Sequence, residues 1–113
     1  PGDWGQNHIH ENSLISGVLY LRVPPNSGDL ILHRNRIVSN FINPYINLPA
    51  RRPNIYNADN FVCRLADRKL VLFPANMNHS IGKNESGEDR YCIAFNVFFK
   101  GMLGEETSVC SIQ

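Results

Sequence analysis

Apolar and polar positions alternate along this chain in short runs broken by turn residues, the signature of strands. Residues 15–23 (ISGVLYLRV) are rich in β-branched and aromatic side chains and run into Pro24-Pro25-Asn26-Ser27-Gly28, a strong turn cluster. A short strand is expected over 29–32, another over 69–73 (KLVLF) up to Pro74, and the strongest over 90–99 (RYCIAFNVFF). Between 40 and 60 the composition shifts to Asn, Pro and Arg, and Pro44, Pro49 and Pro53 exclude a long helix or a central strand. That stretch reads as an irregular excursion whose Phe41, Tyr45, Ile46 and Tyr56 either lid the domain or pack its side. Apolar residues nowhere recur with helical spacing over a full window, except weakly after Met102, so 102–113 reads as a short helix or loose terminus. Short strands, Gly/Pro turns and no helix point to an all-β jelly roll or barrel.

With 113 residues there is room for one domain, and the division expected is a β core over 1–100 followed by a tail over 101–113. Eleven Lys and Arg against ten Asp and Glu leave a net charge of +1, which supplies no drive toward nucleic acid or anionic lipid. No apolar run approaches the roughly 20 residues of a membrane span. The three cysteines, Cys63, Cys92 and Cys110, are odd in number and widely spaced; they suit reduced thiols in a cytoplasmic setting better than a disulfide framework. The chain opens on Pro1-Gly2-Asp3-Trp4 with no initiator Met, so a fragment or processed product with strands missing before Pro1 is expected. Trp4 is expected to cap the barrel edge.

The candidate chemistry lies in the histidines. His8 and His10 flank one residue, and in an extended segment i and i+2 share a face, so two imidazoles can converge on one ion. His79 follows the 69–73 strand and is the natural distant partner of such a pair. His33 has no partner at useful spacing and reads as a surface residue. Asp3 and Glu11 are the carboxylates near the pair, and neither stands two residues after a histidine. In the last strong strand, alternation puts Arg90, Cys92, Ala94 and Asn96 on one face and Tyr91, Ile93, Phe95 and Val97 on the other. A guanidinium on so apolar a strand requires an anionic partner, either a protein carboxylate or a ligand carboxylate.

Two blocks together resemble a known family. Pro1-Gly2-Asp3-Trp4, Asn7-His8-Ile9-His10, Ser13 and Ser16-Gly17-Val18-Leu19-Tyr20-Leu21 form the first. Leu70-Val71-Leu72-Phe73-Pro74, His79 and Arg90-Tyr91-Cys92-Ile93-Ala94-Phe95-Asn96 form the second. In order and spacing they are similar to a small bacterial and phage group of iron(II)- and 2-oxoglutarate-dependent oxygenases related to the prolyl hydroxylases. The resemblance implies a double-stranded β-helix, a cupin-like jelly roll, with iron(II) held by His8, His10 and His79. It also implies 2-oxoglutarate as cosubstrate, its distal carboxylate on Arg90, with Tyr20, Cys92 and Asn96 facing it. Dioxygen and an unidentified small-molecule or peptide substrate complete the set. The chain departs from the superfamily in reading His-x-His where His-x-Asp or His-x-Glu is usual, and in placing Cys92 where a hydroxyl residue is common. Two other readings stay open: a cupin-type metal dioxygenase or isomerase that uses no 2-oxoglutarate, and a non-catalytic β-barrel binding domain.

Overall fold

The computed structural model describes residues 1–34, 52, 54, 58–105 and 109–112. Most of the 40–60 excursion, including Phe41, Tyr45, Ile46 and Tyr56, lies outside them. Among the described residues nine strands form: β1 (Gly5–His8), β2 (Ile15–Arg22), β3 (Leu30–His33), β4 (Asn60–Cys63), β5 (Lys69–Pro74), β6 (His79–Ile81), β7 (Tyr91–Val97), β8 (Gly101–Leu103) and β9 (Cys110–Ile112). There is no helix among the described residues.

The strands assemble into a four-stranded sheet of order β1-β6-β3-β4, a three-stranded sheet of order β5-β2-β7, and a separate β8-β9 hairpin, all antiparallel. The chain switches sheets after β1, β2, β4, β5 and β6, so strands neighbouring in sequence mostly lie in opposite layers. The two larger sheets pack as a β-sandwich. Val18, Tyr20, Val71 and Phe73 from one layer and Leu30 and Cys63 from the other make the buried core, with Leu32, Met77 and Ile81 against its margin. Each apolar side chain withdrawn in this way contributes about 1.5–3 kcal/mol.

Local sequence explains the turns. After β2, the Pro24-Pro25-Asn26-Ser27-Gly28 cluster reverses the chain through a Ser27 N–H to Pro24 carbonyl bond, with Asn26 and Gly28 at positive φ. At Gly28 (φ +83°) a Cβ would stand 2.1 Å from the Gly82 carbonyl oxygen, so this turn admits no side chain. On the outside of the second sheet Gly17 makes room for the Phe95 ring, which lies over it from β7.

The expected strands appear with their ends moved by a residue or two. The tail differs: a β-hairpin stands where a helix or loose end was expected, because Gly101 at φ +106° and Gly104 at φ +87° kink the backbone out of helical geometry. Trp4 caps nothing, being 65% exposed. No helix among the described residues is long and apolar enough to cross a membrane.

Candidate metal centre

His8 closes β1 and His79 opens β6, directly opposite each other in the β1-β6 register. A register shift between Gly5 and His8 brings them level. β1 ends at His8, so His10 lies just beyond the paired strand. The His10 N–H nevertheless bonds to the Ala75 carbonyl at 2.9 Å, which keeps that residue alongside the other layer. The three imidazoles converge: ring centroids of His8 and His79 are 4.2 Å apart, His8 and His10 5.0 Å, His10 and His79 5.1 Å. One ligand nitrogen from each lies within 4.8 Å of the others. Three points so placed have a common point within about 2.8 Å of each, against the roughly 2.0–2.2 Å of a first-row metal–imidazole bond. No carboxylate belongs to the cluster among the described residues.

The protonation of the rings is set by what surrounds them. The His8 Nδ1–H donates to the Gln6 carbonyl at 2.7 Å and the His79 Nδ1–H to the Met77 carbonyl at 3.0 Å. A carbonyl can only accept, so in both rings the proton sits on Nδ1 and the lone pair on Nε2, the arrangement of a metal-ligating histidine. Burial holds the His79 imidazole below its ordinary pKa; the bond to Met77 works against this, and the neighbouring His8 and His10 rings add to it. His79, at 4% exposure, is therefore neutral at pH 7 and free to donate its lone pair. The Phe73 ring packs 4.7 Å from that of His79, while His8 is exposed and His10 half-buried.

On the inner face of β2 the sequence Ser16, Val18, Tyr20 runs from the histidine end to the far end of the interior. Register pairs these residues with Asn96, Ala94 and Cys92 of β7, which places all three β7 side chains on the inner face as alternation predicted. Asn96 lies at the histidine end, its carboxamide 2.8 Å from Ser16 Oγ and 3.4 Å from His10 Nδ1, and not beside Arg90. At the far end the Tyr20 side chain is fully buried, and its hydroxyl has no hydrogen-bond partner among the described residues; nor has the hydroxyl of buried Ser27. Burial, with a smaller push from Cys92 and an opposing pull from Arg90, raises the Tyr20 phenol to about 12. It is a hydroxyl donor at any physiological pH.

Arg90 immediately precedes β7. It was expected to face an anion, but no carboxylate among the described residues pairs with it. Its guanidinium donates instead to the Ser27 and Gly28 carbonyls, the latter at 3.1 Å. Neutral carbonyls satisfy some of the five N–H groups and leave the positive charge unneutralised. An uncompensated half-buried cation and an orphaned buried phenol on one interior wall suit a ligand carboxylate. His33, expected at the surface without a partner, is half-buried on β3 and bonded through both ring nitrogens, to Asn60 and Ser80 at 2.8 Å each. It ties β3 to β4 and β6 and takes no part in the cluster. Those partners come from strands 27 and 47 residues away, which no local spacing signals.

The structure is a β-sandwich with three imidazoles converging at one end, a set that could hold a metal ion. The family profile described as "Putative 2OG-Fe(II) oxygenase" matches residues 1–96, and the chain belongs to that family. Comparison with curated proteins finds no significant match.

Proposed function

We propose that the protein is a non-haem iron(II)- and 2-oxoglutarate-dependent oxygenase whose sandwich is a double-stranded β-helix. Its reaction would hydroxylate a substrate C–H bond while dioxygen and 2-oxoglutarate are converted to succinate and CO2. The observation that carries the reading is the division of labour along one wall. Three histidines, each with a ring nitrogen within 4.8 Å of the others, stand at one end, and an unneutralised Arg90 with the Tyr20 hydroxyl stands at the other.

The residues present fit the groups that family membership implies. His8, His10 and His79 would hold iron(II). Bound iron supplies the activation of dioxygen and the oxidative decarboxylation of the cosubstrate, chemistry no side chain here can perform. The protein's part is placement. Arg90, fixed by the Ser27 and Gly28 carbonyls, keeps one edge of its guanidinium tethered and offers the rest to the distal carboxylate. Tyr20 Oη donates to the same carboxylate from a rigid core position, so little entropy is lost on binding. Cys92 shares that face with a thiol, a poor hydrogen-bond donor, and contributes mainly apolar surface. Three neutral ligands leave the full double charge of the ion, which favours a dianionic cosubstrate.

The test is anaerobic titration of the iron(II)-loaded protein with 2-oxoglutarate, followed by admission of air. The expected result is the visible charge-transfer absorption of an iron(II)–2-oxoglutarate chelate, and slow succinate formation without added substrate. Arg90→Ala should keep iron and lose the absorption. Iron binding with no response to 2-oxoglutarate would return the protein to the cupin-type reading.

A further inference from the structure

His8 and His79 each have Nδ1 bonded to a backbone carbonyl, and that bond fixes the tautomer that exposes Nε2. Among the described residues His10 has no such carbonyl. Its Nδ1 faces a side chain, the Asn96 carboxamide, at 3.4 Å. The other end of that carboxamide is held by Ser16 Oγ at 2.8 Å, and Ser16 is 2% exposed in the rigid centre of the sheet. The β2-β7 register sets Ser16 and Asn96 directly opposite each other, so the contact follows from the fold and not from a chance rotamer.

A carboxamide has two ends of opposite hydrogen-bonding sense, and a hydroxyl can donate or accept. The heavy-atom positions therefore allow two arrangements. In one, Ser16 donates to Asn96 Oδ1 and Asn96 Nδ2 donates to a bare His10 Nδ1, which puts the ring proton on Nε2 and blocks that nitrogen as a ligand. In the other, the carboxamide is turned over: Asn96 Nδ2 donates to Ser16 Oγ, and His10 Nδ1–H donates to Asn96 Oδ1. Only the second leaves the His10 Nε2 lone pair free and matches His8 and His79.

We propose that Ser16 and Asn96 are positioning residues for the third metal ligand: Ser16 orients the Asn96 carboxamide, whose oxygen holds His10 in the Nε2-ligating tautomer. The inference rests on the metal reading above and deepens it. It gives Asn96 a role in place of the cosubstrate contact that the family resemblance implied. Of the three Nδ1 partners, this is the one a mutation can remove, since the other two are main chain. Outer partners of metal-bound histidines typically matter by 10–100-fold in metal affinity.

The experiment uses cobalt(II) as probe, with affinity from calorimetric titration and ligand field from the visible spectrum, in the absence of 2-oxoglutarate. Asn96→Leu, close in size but without an acceptor, should weaken cobalt binding about 10–100-fold and shift the visible bands. Asn96→Asp keeps an acceptor on His10 and should restore both to wild type or better, with Ser16 now donating. Ser16→Ala, which frees the carboxamide to turn, should weaken binding severalfold. Circular dichroism and thermal melts establish that each variant is folded. Should Asn96→Leu not fold, Ser16→Ala and the Asn96→Asp rescue decide the matter.

Unchanged cobalt affinity and spectrum in folded Asn96→Leu overturns the proposal while leaving the metal site intact. So does an equal loss in Asn96→Asp and Asn96→Leu, which would mean that shape alone matters. A wild-type protein that binds no cobalt overturns the metal reading itself.

Discussion

The two faces of the β5-β2-β7 sheet differ in an uneven way: the inner one is the usual apolar face of an antiparallel layer with polar groups set into it, and the outer one is apolar as well. The inner face joins core residues Val18, Val71 and Phe73 to Ser16, Tyr20, Cys92 and Asn96, with Arg90 at the edge. Its outer face offers Ile15, Leu70, Leu72, Ile93, Phe95 and Val97, each more than a third exposed. β7 is exposed on both faces and stands at the sheet edge. Burying the Ser16 and Tyr20 hydroxyls costs free energy that apolar side chains in the same positions would not. In the proposed function these inward polar groups stand on the ligand side, while the outward face does only what β-forming residues do.

Three substitutions sharpen that contrast, in falling order of effect. Arg90→Ala, at the inner edge, should weaken 2-oxoglutarate binding to the iron-loaded protein at least about a hundredfold, since a charged bidentate partner is lost. Calorimetry reads the loss, and metal affinity should be unchanged.

Tyr20→Phe should weaken cosubstrate binding about tenfold, yet leave the ligand-free protein within about 1 kcal/mol of wild type or more stable, because the hydroxyl removed has no partner to lose. A pH series adds a second signature. Folding raises the phenol from 10.0 to about 12. The unfolded chain therefore releases this proton first, and stability present below pH 10 declines as pH rises toward 12. Chemical melts over that window should show the decline in wild type and a shallower one in Tyr20→Phe.

Leu72→Thr, on the outer face and 56% exposed, should change unfolding free energy by only about 0.5 kcal/mol. It should leave cobalt and 2-oxoglutarate binding untouched. A loss of several kcal/mol, or of ligand binding, would break the contrast between the faces.

How far all this was legible depends on how local each feature is. The strands β2, β5 and β7 announce themselves because runs of six to eight residues rich in aliphatic and aromatic side chains, bounded by turn residues, suit nothing else. β6 is three residues, His79–Ile81, and no propensity sum over so short a run rises above its surroundings. β4 hides at the end of an Asn- and Pro-rich stretch and becomes a strand because β3 is there to pair with it. The histidine trio was visible in outline from His-x-His and one distant His. The Asn96–Ser16 link spans 80 residues of sequence and depends on β-register. The orphaned Tyr20 hydroxyl is likewise a property of packing, since the same Tyr with a neighbour in reach would be an ordinary core residue. Arg90 needed an anion in the sequence reading, and the main-chain carbonyls that hold it are groups every residue carries and no sequence advertises.

The irregular register of β1 against β6 has a meaning for how this site tolerates change in chain length. From the Gly5–Ile81 pair to the His8–His79 pair, β1 uses one residue more than its partner. That extra residue sets the phase of the strand, and strand phase is binary: one residue fewer turns every following side chain to the opposite face. Substitutions at Gln6 or Asn7 alter a surface, whereas a deletion there would turn His8 away from His79 in a domain otherwise free to keep its core. The histidine cluster thus depends on a residue count as much as on the identity of its neighbours.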